Sequence, residues 1–406
     1  MMKRNKKKIE ENFFTSNIFL FESYGCHCEK TYVSSNINEQ PLPAIRLTCD
    51  TMHKINFAFA SKKGLVRLND DGSIAESNIL GKLVAIKRDN LKEISSFFER
   101  NGFLLPIPQT KSEIIGMEEL KVLIDRLQAT LELISTITDM SRTSYTKIIR
   151  LIFYHLFAPV FAIEIEEGKY KRISDRHKYS IFLEKYKDAV RDKRLNDTFN
   201  KEDFEFNDNI ASFNLNADWV DSVLNKTPTD PKYETTIFQN VFTAYCTPRE
   251  GKQKTMLFIN DFIFHYLYEV GIINYVDLNT TSYINDSVDL SKFTERLKAA
   301  ALTTAKYIIK EELEFNLRYV RPTYNISKLE PAWKIDSLLS AMYFGLFYMR
   351  PNMETYRRCA NPKCGEFFLV SISSQKKIYC CHECMNRMMA ARNRARKKIA
   401  KSKTEK

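Results

Sequence analysis

The run Cys359–Lys398, CANPKCGEFFLVSISSQKKIYCCHECMNRMMAARNRARKK, gathers five of the chain's nine cysteines. Four residues separate Cys359 from Cys364, fifteen lead on to Cys380, and three separate Cys380 from Cys384. Two close pairs on short loops supply the tetrahedron of soft sulfur ligands that zinc prefers. Cys359, Cys364, Cys380 and Cys384 are therefore the predicted ligands of one structural Zn2+. Four thiolates leave no position for a reactive water, so no catalysis is expected at the metal. Cys380 is chosen over Cys381 because it stands four residues before Cys384, one helical turn away on the same side. Pro362 and Gly365 shape the first turn, and Phe367–Val370 with Lys376–Tyr379 read as a hairpin through residues 371–375. A knuckle, a hairpin and a helix whose first turn carries ligands predict a treble-clef-like finger.

The charge of the chain sits on the same segment. Arg357–Lys406 holds 14 basic and 3 acidic residues, whereas the preceding 356 hold 48 and 47. A basic surplus confined to one end of a near-neutral body is the footprint of a polyanion-binding element. In the helix after Cys384, Met388, Ala391, Ala395 and Ile399 form an apolar seam able to pack on the finger. Arg387, Arg392, Arg394, Arg396, Lys397 and Lys398 occupy the remainder and are the predicted nucleic-acid contacts. Asn386 and Asn393, each preceding an Arg, recur seven residues apart and share a face.

These residues resemble the CGNR zinc finger found at the C-terminus of bacterial transcription regulators. Arg357-Arg358-Cys359, Asn361-Pro362, Cys364-Gly365, Phe367-Phe368, Tyr379-Cys380 and Cys384-x-Asn386-Arg387 stand in that family's places. Met385 replaces the signature glycine, and the spacing before Cys384 is one residue shorter than in many members. The likeness spans roughly fifty residues, Arg357–Lys406. It implies a DNA-binding regulator with an upstream, mainly helical domain that senses a signal. Residues alone point to zinc and charge; it is the resemblance that places DNA ahead of RNA as the partner.

The rest of the chain is read from pattern. A length of 406 residues suggests two or three domains. The expected fold is mainly α, with a few short strands near the N-terminus (NFAFA at 56–60 and GLVRL at 64–68, around a turn at Asn69-Asp70-Asp71-Gly72). Apolar stripes predict helices from about Leu91 to Asn101, Met117 to Thr138, Ser144 to Phe157 and Tyr179 to Asp192. Further helical patterns fall near 233–246, 254–270, 290–317 and 332–350, the last with Pro331 in its first turn. The organisation read from this is a basic arm over 1–12 and a mixed N-terminal region over 13–195. An acidic, polar linker follows over 196–232, with eight acidic and three basic residues. A helical region over 233–350, the finger over 357–400 and a basic tail over 401–406 complete it.

No export leader or membrane span is expected, which makes the cytoplasm the predicted compartment. Cys26, Cys28, Cys49 and His53 form a looser possible metal set, which is discounted. The pairs Arg150 with His155 and Arg172 with His177 have a spacing seen in some helical ribonucleases, but they read as ordinary helix residues. No catalytic motif supports an enzyme. The expected function is a zinc-finger DNA-binding regulator whose N-terminal region binds an effector or partner protein. The alternatives are a helical RNA-processing enzyme gripping substrate with the finger, and a protein-interaction module stapled by zinc.

Overall fold

A long antiparallel hairpin opens the fold. Strand β1 (Leu20–Val33) runs against β2 (Leu42–Ala60), with Phe21 opposite Phe57 and Cys26 opposite Cys49. The register slips between Tyr24 and Gly25, a bulge that glycine permits because the His53 ring lies 2.9 Å from where a Cβ would stand. β2 is long enough to carry two partners along one edge. Its first half pairs with β5 (Ser112–Gly116) and its last residues pair with β3 (Gly64–Leu68), which pairs in turn with β4 (Ile74–Glu76). Gly72, at a φ of 76°, closes the β3–β4 turn.

The computed structural model describes residues 20–33, 41–60, 63–104, 112–138, 144–157, 162–164, 170–172, 204–207, 210, 212–224, 230–246, 253–284, 288–318, 320–326, 329–335, 337–350, 353–374 and 376–404. The basic arm over 1–12 and the helix read over Tyr179–Asp192 lie outside the described residues. Helix outweighs strand, and strands lie mainly toward the N-terminus. Two of those strands are not short, however, at 14 and 19 residues. Much of each faces outward, so the apolar half of the alternation that reveals a strand is missing.

The chain divides into two units. The first joins residues 1–139 and 162–171 to 316–406. Within it, helix α1 (Ile79–Ala85) precedes α2 (Leu91–Asn101), which Asn90 caps by accepting from the Glu93 amide at 3.2 Å. α2 buries Ile94, Phe97 and Phe98, each such side chain contributing about 1.5–3 kcal/mol of hydrophobic stabilisation. Cys26 and Cys28 of β1 face this helix, their thiols donating to Phe98 O at 3.0 Å and Ser95 O at 3.4 Å. Helix α3 occupies Met117–Thr138, the boundaries its stripe predicts. The Arg88 guanidinium ties it down, donating to Asp125 at 2.7 Å and Gln128 at 2.9 Å.

The helix expected over 332–350 starts later. Residues Arg321–Asn325 (β6) and Glu330–Lys334 (β7) form a hairpin, and Ser337 caps helix α4 (Leu338–Tyr348) by accepting from Ser340 N at 3.1 Å. A serine cap six residues downstream of Pro331 is the stronger start signal. Pro331 sits in a two-stranded ribbon, where a missing amide donor is tolerated.

The second unit comprises residues 140–161 and 172–315. Helices Tyr145–Phe157, Thr236–Cys246, Lys254–His265 and most of Glu295–Leu317 bury an aromatic core, including Tyr245 stacked on Phe264 at 3.9 Å. The segment 196–232, read as a linker, instead falls inside this unit. It contributes a short hairpin (Phe204–Asn207 with Ser212–Leu215) and a helix, Ala217–Leu224. Its few apolar residues carry the structure: Val220 and Val223 are buried, and Trp219 packs edge-on against Phe242 at 5.1 Å. His155 is also interior, its ring 3.6 Å from Glu312. No described helix is long and apolar enough to cross a membrane.

Candidate metal centre

Strand β8 (Glu354–Arg358) pairs antiparallel with β9 (Phe367–Ser371), from Glu354 opposite Ser371 to Arg358 opposite Phe367. This corrects the expected hairpin of Phe367–Val370 with Lys376–Tyr379. The downstream residues turn instead: Ser374 N donates to Ser371 O and Lys377 N to Ser374 O, at 2.9 and 3.2 Å. Arg357 fixes that turn, donating to the carbonyl of Ser374 at 2.8 Å.

The connection between β8 and β9 is the first cysteine loop. Cys359 N donates to Glu366 O at 2.8 Å and Cys364 N to Asn361 O at 2.9 Å, closing a tight knuckle. Gly365 leaves it at a φ of 68°, in the left-handed region that favours glycine. Ala360 N then reaches Ile378 O at 2.9 Å, which brings the segment before Cys380 alongside. Helix α5 (His382–Thr404) begins within the second pair, two residues after Cys380, with Cys384 buried in its first turn.

Cys359, Cys364, Cys380 and Cys384 meet, with their sulfurs all within 4.8 Å of one another. The Cys364–Cys380 separation is 3.6 Å and Cys380–Cys384 is 3.7 Å. These four are close enough to hold a metal ion, and they are the only such group of three or more found among the described residues. The looser set of Cys26, Cys28, Cys49 and His53 does not assemble. Cys381 is exposed, 3.8 Å from the Cys380 sulfur, and its carbonyl accepts from Met385 N as the helix starts.

Burial pushes the Cys364 thiol up to about 11 and raises Cys380 as well. Desolvation acts the same way on Cys384, but the amide of Asn361 and the neighbouring thiols hold that group below its ordinary value. Asn361 is buried, donates to the Cys384 sulfur at 3.3 Å and accepts from Lys363 N at 3.2 Å. Sequence reasoning noted this residue without giving it a role. Its signal was an asparagine inside the first cysteine loop, a residue type that folds back on its own turn.

Around the thiols the finger has little core, chiefly Phe368 and Val370 with Tyr379 beside them. Support comes from the rest of its unit. The Asn78 side-chain amide donates to Phe367 O at 2.6 Å and to Glu366 Oε1 at 2.7 Å. At Gly81 a Cβ would fall on the Phe367 carbonyl oxygen, so α1 reaches β9 only through a glycine. Tyr356 of β8 is buried, with its hydroxyl 2.8 Å from where a Cβ of Gly64 would lie.

Beyond its first turn α5 is bare. Arg387, Arg392, Arg394, Arg396 and Lys397 are exposed, and none forms an ion pair among the described residues. Lys398 belongs to the same helix, though its side chain lies outside the described residues. Of the seam expected to pack on the finger, Met388 is half-buried and Ala391 and Ala395 are exposed, while the Ile399 side chain lies outside the described residues. The knuckle meets the first turn of α5, and among the described residues the later turns are left exposed. Comparison with protein-family models, curated proteins and solved structures finds no match.

Proposed function

We propose that the four thiols hold one structural Zn2+ and that the helix they anchor binds nucleic acid, duplex DNA in preference to RNA. The observation that carries the second part is a helix presenting five exposed cationic side chains, none in an ion pair among the described residues. The other 356 residues of the chain are nearly neutral, so the attraction for a polyanion concentrates here. For the metal, a tetrahedron of sulfurs at the usual Zn–S bond length has edges of about 3.8 Å. The Cys364–Cys380 and Cys380–Cys384 sulfur pairs, at 3.6 and 3.7 Å, fit that edge. When bound, the ion supplies a crosslink that joins the β8–β9 knuckle to the first turn of α5. The chain's own residues do the rest. Asn361 steadies one sulfur, Arg357 holds the intervening turn, and the arginines meet the ligand.

A knuckle between paired strands followed by a ligand-bearing helix is treble-clef-like in this reading, and it accords with the resemblance to the CGNR finger. The function it supports is a DNA-binding transcription regulator, with the remaining 350 or so residues sensing a signal or binding a partner. Duplex DNA is favoured on size. A helix with its side chains is about 10–12 Å across, which suits the roughly 12 Å major groove of B-DNA. The corresponding groove of A-form RNA is too narrow for it.

The test uses substitution rather than truncation, because β8 and β9 are part of their unit's packing. If four to six side chains neutralise phosphates, the affinity of the full chain for duplex DNA should fall with a log–log salt slope of roughly −4 to −5. Changing Arg392, Arg394 and Arg396 together to glutamine should reduce the magnitude of that slope by about 3. Fluorescence anisotropy over a salt series measures both. A triple variant with the wild-type slope would place the phosphate contacts elsewhere and end this reading.

A further inference from the structure

Cys384 is buried, so it marks the side of α5 that looks back at the knuckle. At about 100° per residue, Ala391 and Ala395 lie on that same side. The opposite side carries Asn386, Ala390, Asn393 and, one turn further on, Lys397, all exposed. Arg387 and Arg394 border this stripe on one flank, and Arg392 and Arg396 border it on the other. The helix thus has an amide-bearing ridge, ending in Lys397, between two cationic rails and turned away from the metal. That is the cross-section of a major groove, in which base edges form the floor and two phosphate backbones form the walls.

Building on the proposed DNA binding, we infer that Asn386 and Asn393 read adenines, while the flanking arginines grip the two backbones. A side-chain amide offers one donor and one acceptor, which matches the N7 acceptor and N6 donor of adenine in the major groove. Seven helical residues advance about 10.5 Å, and one base-pair step is about 3.4 Å. Because a helix in the groove runs obliquely to the duplex axis, that span covers about two to three steps, and the two asparagines address adenines two or three base pairs apart. Ala390 between them has no side chain long enough to hold the helix off the groove floor. Aspartate or glutamate at these positions would repel the backbone, and lysine would add affinity without discrimination. Asparagine is the choice that selects a base.

The experiment is selection of the full-length, zinc-loaded chain on a duplex DNA library randomised over one helical turn. Affinities of Asn386→Ala and Asn393→Ala for the selected site and its single-base variants follow. The selected pool should carry two adenines two or three base pairs apart. Each variant should lose roughly 5- to 150-fold of discrimination at one of them, with its salt slope and zinc content unchanged. A pool without that adenine pair, or variants that keep wild-type base preferences, would overturn the inference. Persistent salt-dependent binding in that case would leave the phosphate-binding reading standing. Failure of the wild-type chain to bind any duplex would remove both.

Discussion

Cys380→Ser is expected to strip the metal from the finger, while Cys381→Ser keeps it. The two thiols are neighbours in sequence, yet only Cys380 lies within the four-sulfur group. Cys381 points outward, and its carbonyl already serves the first turn of α5. Structural zinc sites contribute an apparent 10–16 kcal/mol or so to folding, and the finger's core is too small to replace that. The wild-type chain and Cys381→Ser should each retain one equivalent of zinc by elemental analysis. Cys380→Ser should retain well under half and give a broad, early thermal transition for the finger. Cobalt substitution sharpens the comparison, because four-thiolate coordination has its own intense visible bands. Metal loss from Cys381→Ser with retention in Cys380→Ser would shift the ligand by one residue and the helix start with it.

A larger side chain at Gly81 should unsettle the finger from the other end of the sequence. A Cβ there would strike the Phe367 carbonyl and crowd the Asn78 side chain, which itself donates to that carbonyl. Neither atom can yield easily, since one is backbone inside the β8–β9 ladder. In an exposed helix, alanine would gain about 1 kcal/mol over glycine. Here Gly81→Ala should instead lose about 1–3 kcal/mol, as overpacked sites do, and Gly81→Val more. Urea midpoints measure the loss, and chelator-driven metal release should become faster in the same variants. A gain in stability on Gly81→Ala would mean that α1 and β9 are not held at this separation.

Much of the site was legible because its chemistry is local. Cysteine spacing identifies the four thiols without reference to anything more than twenty-five positions away. α3 was legible for a similar reason, since Leu120, Leu123, Leu127 and Leu131 repeat with the period of one helix face. The partner of β9 was not. Glu354-Thr355-Tyr356-Arg357 looks like polar text, yet all four side chains are buried, so no alternation marks the strand. The β1–β2 hairpin failed for the opposite reason, with His27, Glu29 and Met52 facing outward along it. The role of Gly81 has no local signal, because the carbonyl that requires it lies on β9, in a distant part of the sequence.

The Asn78–Phe367 contact spans 289 positions, and all of the second unit is encoded between its two ends. On a ribosome adding 5–20 residues per second, the later partner appears roughly 15–60 s after the earlier one. The second unit has its own helices and aromatic core and can finish within that interval. The first unit must wait with its sheet built and the ground for β9 uncovered. Its closure therefore coincides with emergence of the cysteine segment, so metal supply at that moment bears on the yield of folded chain.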